Sequence, residues 1–145
     1  KVAGVFATGL LQMTVLILAT RYLMGVQWGN AVVVVVLVAL VVAATASLGL
    51  VIAVLARTTA QASALGGAVV MVLAAIGGSF VPRISYPDWL KTLGLIGPNA
   101  WGIEGFQKLA AGATLSGLGP EILALLAMTA VFFGIAVWNF RRLVK

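Results

Sequence analysis

Four long stretches without a charged residue dominate the chain. No Asp, Glu, Lys or Arg occurs within residues 2–20, 22–56, 58–82 and 122–140. The hydrocarbon core of a bilayer is about 30 Å thick, and about 20 apolar residues of α-helix cross it. An isolated strand in lipid would leave its backbone polar groups unpaired, so even the β-branched run Val32–Val36 is predicted to be helical. The pattern predicts an all-α membrane protein with four transmembrane helices, at about residues 2–23, 31–56, 62–80 and 120–140.

The segment between the third and fourth of these helices is predicted to form a hairpin of two short helices, residues 82–112. Prolines divide it, at Pro82, Pro87 and Pro98, and Pro120 precedes the last helix. Helices of about residues 87–96 and 98–111 would be about 15 Å and 21 Å long, too short to cross a bilayer. Both are amphipathic, so we expect the hairpin either to dip into one leaflet and return or to lie flat on its surface.

Local patterns predict two side-chain interactions in this hairpin. Ser85 followed by Asp88 resembles a capping box at a helix start. Glu104 and Lys108 have the spacing and the order of a helical ion pair.

Composition agrees with a membrane protein. The chain is 63% hydrophobic and 8% charged, with a mean hydropathy of +1.19, far from the range of soluble domains. The net charge of +6 comes from nine basic residues spread along the whole chain, so no nucleic-acid partner is predicted. There is no cysteine and no histidine, which excludes disulfides and thiolate or imidazole metal sites. The lipid bilayer is the predicted partner.

The sequence motifs of several common enzyme classes are missing. There is no phosphate-binding loop motif, and a Ser–His–Asp set is impossible without histidine. Asp88, Glu104 and Glu121 all fall outside the centres of the predicted transmembrane helices, so proton coupling within this chain is not expected. We predict that the chain is not an enzyme and holds no cofactor or metal of its own.

Two features of the first two helices allow more than one interpretation. Arg21 near the end of the first helix is either a functional intramembrane charge or a side chain that extends to the lipid headgroups. Thr45, Gly49 and Ala53 recur at every fourth position of the second helix, a spacing that lets two helices approach closely. We interpret this spacing as general packing of the bundle and not as a dedicated dimer motif.

Four short motifs resemble those of the type-2 family of ABC transporter permeases. They are Gly77-Gly78-Ser79-Phe80-Val81-Pro82, Tyr86-Pro87-Asp88-Trp89-Leu90, Gly97-Pro98-Asn99-Ala100-Trp101 and Glu104-Gly105-Phe106. In that family the fifth membrane helix ends in Gly-Gly-x-x-x-Pro, and two Pro-led short helices precede the sixth. By this resemblance residues 1–145 are the C-terminal part of a single permease domain, covering its last four membrane helices.

The resemblance implies partners and functional positions. Such permeases pair as homo- or heterodimers, and each copy docks on a cytosolic ATP-binding subunit that holds ATP and Mg. The hairpin would cap the translocation route at the outer face, with the positions Gly77, Gly78, Pro82, Pro87, Trp89, Pro98, Trp101 and Glu104. A turn facing the cytosol near the ATPase would contain Arg57, Thr58, Thr59 and Gln61. The family's main coupling helix would lie before Lys1, and we expect the chain to be a piece of a longer protein.

The same resemblance implies a multi-pass protein of a bacterial-type inner (plasma) membrane with a cytoplasmic C-terminus. Five basic residues would then lie inside, namely Lys1, Arg57, Arg141, Arg142 and Lys145. Four would lie outside, namely Arg21, Arg83, Lys91 and Lys108. The excess of inner Lys and Arg has the expected sign but is small, so the orientation depends on the resemblance.

Three functions are compatible with these patterns. The first is the membrane subunit of an ATP-driven exporter whose mostly apolar route, formed where two copies meet, suits lipid-like or amphipathic cargo. The second is a non-transporting assembly or scaffold subunit whose hairpin binds another membrane protein. The third is a secondary transporter, although such proteins place polar or charged groups near the midplane, often in inverted repeats that are not visible here.

Overall fold

The computed structural model describes residues 2–143, and the side chains of residues 3–141. Within that range the helices are α1 Val2–Leu23, α2 Ala31–Leu55, α3 Thr59–Gly77, α4 Asp88–Gly94, α5 Pro98–Ala110 and α6 Gly119–Leu143. Short 3₁₀ turns at Arg83–Ser85 and Leu115–Leu118 precede α4 and α6. Lys1, Lys145 and the side chain of Arg142, three of the basic residues predicted to lie inside, fall outside the described part.

The all-α class with four membrane-spanning helices is confirmed. Residues 2–143 contain no strand, and four helical segments are long and apolar enough to cross a membrane. These are Ala3–Leu23, Ala31–Leu55, Thr59–Gly77 and Leu115–Arg141. The two short helices α4 and α5 lie between the third and the fourth of them.

Helix α2 is the centre of the bundle. It contacts α1, α3, α5 and α6, and its side chains Val34, Leu37 and Val42 belong to the buried core. Leu109 from α5 and Leu125 from α6 are fully buried in the same cluster. Burying a leucine side chain of this kind stabilises a fold by about 1.5–3 kcal/mol in water, and dense packing takes over this role in lipid. The hairpin and the last helix are therefore both held by α2.

The connections divide the bundle into two ends. We call the end with loop 24–30 and residues 78–118 the hairpin side, and the end with residues 56–58 the turn side. Trp28 of the first connection packs edge-on against Phe106 of α5, with ring centroids 5.7 Å apart and an interplanar angle of 79°. Asn30 begins α2 by accepting a hydrogen bond from the Val32 backbone N–H at 2.8 Å. Both connections on the hairpin side are thus tied to ordered helices.

Large faces of α1 and α3 remain uncovered. None of the apolar window of α1 and only 6% of that of α3 is buried, against 39% for α2. Gly49, in the predicted small-residue row of α2, has open space where a Cβ would be, and Thr45 and Ala53 are exposed, so this row faces no closely packed helix among residues 2–143. In a bilayer these faces are available to lipid or to other protein segments.

Both local side-chain interactions predicted for the hairpin are wrong. Helix α4 begins at Asp88 with Pro87 as its N-cap, and no side chain caps it, because Ser85 belongs to the preceding 3₁₀ turn. Glu104 and Lys108 do not pair with each other, because each finds a partner from another element that comes closer.

Candidate functional site

The connection that leads into the hairpin begins where α3 ends, at the pair Gly77 and Gly78. Gly78 caps α3 in the left-handed conformation, with φ of 93°, which favours glycine because other residues pay a steric cost there. The side chain of Arg83 lies directly over Gly78, where a Cβ would overlap its Cγ. The chain therefore turns sharply at Gly78, and the turn is covered by an arginine side chain.

The junction between α4 and α5 packs on the last turns of α3 through glycines. A Cβ on Gly94 would overlap the backbone oxygen of Ile76, and one on Gly97 would lie 2.9 Å from Leu73 Cδ2. From the other side, a Cβ on Gly77 would lie 3.0 Å from the Cβ of Asn99. Contacts this close are possible only without side chains, so these glycines fix how tightly the hairpin sits on α3.

Helix α5 lies along the half of α2 that is nearer the hairpin side. A Cβ on Gly102 would lie 3.2 Å from Val41 Cγ2, and one on Gly105 would lie 2.9 Å from Leu37 Cδ2. The axial rise from Ala31 to Val41 is about 15 Å, in a helix about 37 Å long. Gly102, in the second turn of α5, is therefore nearly halfway down α2. Of the two predicted arrangements, this geometry matches a hairpin that dips into one leaflet.

An ion pair between Arg83 and Glu104 joins the first turn of the hairpin to α5. Arg83 Nη2 lies 3.2 Å from Glu104 Oε1 and donates a hydrogen bond to the Lys91 carbonyl at 2.8 Å. The Arg83 side chain is only 10% exposed, so this is a largely desolvated charge that needs its partners. One guanidinium thus connects the turn at residues 83–85, α4 and α5.

A second ion pair joins the other end of α5 to α6. Lys108 Nζ lies 2.6 Å from Glu121 Oε1, and the Glu121 side chain is 2% exposed. The third acidic residue, Asp88, pairs with Lys91 at 3.3 Å on the surface. Every acidic side chain of the sequence therefore has a basic partner on the hairpin side. These ion pairs are suited to hold the hairpin in position.

Some of the predicted hairpin residues are packed against other elements, and others are exposed. Pro98 is buried at the first position of α5, and Trp101 donates from Nε1 to the Leu95 carbonyl at 2.9 Å, which ties α5 back to the end of α4. Pro82 and Pro87 are exposed and precede the 3₁₀ turn and α4, respectively. Trp89 is 67% exposed on α4, away from the packed junction. Gly77, Gly78, Pro98, Trp101 and Glu104 belong to the packed region.

The role of several residues that hold the hairpin in place was not predicted from the sequence. Arg83 and Glu121 carry its ion pairs, and Gly94, Gly102 and Gly105 its close contacts. The spacing of Gly102 and Gly105 places them on one helix face, a signal that was available. The two ion pairs join residues far apart in sequence, and no local pattern reports such contacts.

The predicted cytosolic turn lies at the opposite end of α2 and α3. Thr58 is the N-cap of α3, and its Oγ1 accepts from the Gln61 backbone N–H at 3.1 Å. The Gln61 side chain accepts in turn from the Arg57 backbone N–H at 2.8 Å. Helix α3 therefore begins at Thr59 instead of about Ala62, and the exposed polar residues Thr59 and Gln61 lie in its first turn.

No group of three or more His, Cys, Asp or Glu side chains in the described part of the chain is arranged to bind a metal ion. The hairpin consists of two short helices between two spanning helices, and its Gly77-Gly78 and Gly97-Pro98 motifs lie at the packed junction. Residues 1–110, which include nearly all of this hairpin, match the family described as ABC-2 type transporter. The chain belongs to the ABC-2 type transporter family.

A curated relative supports this membership. The chain is 31% identical over 133 residues to the linearmycin resistance permease protein LnrN of Bacillus subtilis (strain 168). The match covers 91% of this chain and 34% of that protein, so the chain spans about a third of the relative's length. No solved structure matches the chain significantly. Membership of the family, together with four apolar helices, makes the chain a multi-pass part of an ABC transporter membrane subunit.

Proposed function

We propose that this chain is the C-terminal part of a permease subunit that exports amphipathic molecules, driven by ATP hydrolysis in a separate cytosolic subunit. Membership of the ABC-2 type family supports the ATP-binding partner. A second permease copy, homologous or identical, would complete the route. ATP and Mg would bind in the partner, and this chain would itself catalyse no reaction.

The observation that carries this proposal is the depth of the hairpin. Gly102 of α5 lies beside Val41, nearly halfway along α2, so the hairpin extends deep into the bundle beside the last turns of α3. A segment held there by Gly-mediated contacts and two ion pairs is suited to close one end of a route between two copies. In the proposed orientation this end is the outer one, and residues 57–61 face the ATPase from the cytosol.

Cargo of an amphipathic kind is supported by the grooves on α2. One groove of about 520 Å³ lies between α1 and α2 and is mostly apolar, with Gln12 and Thr45 as its polar members. The relative LnrN is named as a resistance permease. For this protein we propose the removal of a harmful amphipathic compound from the cell membrane.

Purification of the full-length protein from its native membranes tests the proposal. We expect an ATP-binding subunit in stoichiometric amount, and vanadate-sensitive ATPase activity of the complex that rises when the cargo is added. The matched control is the same complex with the phosphate-binding lysine of the ATPase subunit changed to alanine, which removes hydrolysis but leaves assembly intact. A preparation without any ATPase, after mild detergent and crosslinking, would contradict export and support the scaffold function.

A second assay separates export from other transport. Inverted vesicles containing the complex should accumulate an amphipathic fluorescent probe when ATP is supplied and should not when only a proton gradient is supplied. Uptake driven by the gradient alone would contradict the proposal in favour of a secondary transporter.

A further inference from the structure

A second groove, of about 370 Å³, runs between α1 and α2 on the hairpin side. Its walls are almost wholly apolar and come from both helices, among them Leu10, Ile17, Leu18, Val34 and Val38. Trp28 and Gly29 close it at the mouth, where the chain leaves α1 and enters α2. The groove therefore has an apolar interior and a distinct end at the surface of the bundle.

The mouth of the groove contains one charge, Arg21. This side chain lies in the last turn of α1, is exposed, and lines the groove. Within residues 3–141 no acidic side chain pairs with it, because Asp88 pairs with Lys91, Glu104 with Arg83, and Glu121 with Lys108. A cation at the end of an apolar groove is complementary to a ligand that carries an anionic group on an apolar chain.

The length of the groove matches one leaflet. From Leu10 to Arg21 the axial rise of α1 is about 16 Å. The hydrocarbon core of a bilayer is about 30 Å thick, so one leaflet accounts for about 15 Å. An acyl chain whose headgroup is level with Arg21 would therefore reach about to Leu10. The spacing suits a lipid of the leaflet on the hairpin side.

The wall at the mouth is held in place before any ligand arrives. Trp28 donates from Nε1 to Thr20 Oγ1 at 3.1 Å, and its ring packs against Phe106. A tryptophan so fixed stays beside Arg21 at the level where interfacial aromatics meet lipid headgroups. Little ordering of the protein is needed for a lipid to bind there, which favours retention.

We propose that this groove holds one acyl chain of an anionic phospholipid, with the lipid phosphate on the Arg21 guanidinium. The lipid is a resident component of the permease and not its cargo. The inference therefore goes beyond the proposed function and is independent of ATP, of cargo and of the direction of transport. Of the two explanations left open for Arg21, the proposal follows the one in which the side chain extends to the lipid headgroups, and it names the headgroup as an anionic phosphate.

Photo-crosslinking in vesicles tests this. The full-length protein carries a photoreactive amino acid at Leu18, which lines the groove, or at Leu16, which does not. The two leucines are 46% and 51% exposed and lie on the same helix, so they are matched positions. The vesicles contain phosphatidylglycerol and phosphatidylcholine in equal amounts, and the adducts are identified by intact mass.

We expect the adducts at position 18 to be enriched in phosphatidylglycerol by about five-fold, the effect of one arginine at an anionic headgroup. Adducts at position 16 should show the two lipids in their bulk ratio. Arg21→Gln should abolish the enrichment, Arg21→Lys should retain part of it, and Arg141→Gln, an exposed arginine on the turn side, should leave it unchanged.

Three results would each overturn the inference. The first is the bulk lipid ratio at position 18 in the unaltered protein, and the second is an enrichment that persists in Arg21→Gln. The third is a crosslink from position 18 to another protein segment or to a second copy, which would show that protein occupies the groove. None of these results depends on whether the protein exports anything, so failure here and failure of the proposed function are distinguishable.

Discussion

Lys108 Nζ lies 2.6 Å from Glu121 Oε1, and this contact ties the last turn of α5 to the first turn of α6. The carboxylate is almost completely buried, whereas the lysine is 45% exposed. The charge on Glu121 therefore has little water around it and depends on Lys108. The end of α5 is thus fixed to the final spanning helix. At the beginning of the hairpin, Arg83 fixes the first turn to α5 through Glu104.

Replacing one partner of this pair should lower the free energy of unfolding more than replacing both. Lys108→Met leaves a buried carboxylate without its cation, and we expect a loss of about 2–3 kcal/mol, less than for a fully buried pair because the lysine is half exposed. The double variant Lys108→Met with Glu121→Leu should recover most of that loss, because no charge stays buried. Unfolding in mixed detergent–SDS micelles measures both.

The surface pair of the same hairpin is the control. Lys91→Met breaks the contact with Asp88, whose side chain is fully exposed, and should leave the free energy of unfolding close to that of the unaltered protein. A double variant that is less stable than Lys108→Met would show that the buried carboxylate is not the cause of the loss.

Gly94 should tolerate no side chain. A Cβ there would overlap the backbone oxygen of Ile76, which cannot rotate away as a side chain can. We expect Gly94→Ala to destabilise the protein by about 1–3 kcal/mol through overpacking and to loosen the hairpin from α3. Protease accessibility of the hairpin, together with unfolding in micelles, measures this.

Gly134 in α6 provides the comparison, because a Cβ there has open space around it. Gly134→Ala should be neutral or slightly stabilising, since alanine favours helix by up to about 1 kcal/mol over glycine. Equal stability of the two variants would mean that the junction can shift to accept a methyl group.

The two tryptophans of the hairpin should differ in their effect. Trp101→Phe keeps an aromatic ring but removes the indole N–H that donates to the Leu95 carbonyl, and we expect the free energy of unfolding to fall by about 1 kcal/mol. Trp89 is mostly exposed, so Trp89→Phe should change the free energy of unfolding by less than about 0.5 kcal/mol. The opposite order would contradict the assignment of Trp101 to the packed junction.

The sequence predicted those parts of the fold that depend on long segments. Uncharged runs of membrane length predicted four spanning helices, and prolines predicted the breaks around α4 and α5, because both signals lie within the segment concerned. The pairing of Glu104 with Lys108 was wrong because spacing on one helix reports only local neighbours. The true partners Arg83 and Glu121 come from other elements, and only the tertiary fold brings them close.

The depth of the hairpin also needed the structure. Amphipathic short helices are compatible with a flat or a dipping arrangement, and the difference depends on which residues of α2 meet α5. The contacts of Gly102 with Val41 and of Gly105 with Leu37 decide it. Those contacts follow from the absence of side chains on one face of α5, which allows the helix backbones to approach closely.

The stability of the first turn of α3 should depend on the hydroxyl group of Thr58. Thr58 accepts from the Gln61 backbone N–H, so Thr58→Ala should cost about 1 kcal/mol, whereas Thr58→Ser keeps the acceptor and should cost much less. Thr59→Ala changes the adjacent exposed threonine, which is not the cap, and serves as the control. Unfolding in micelles gives the ranking, and equal losses at Thr58 and Thr59 would contradict the capping role. Because this cap sets where α3 begins on the turn side, a loss confined to Thr58→Ala would show that the polar turn is held by a specific hydrogen bond and is more than a flexible connection.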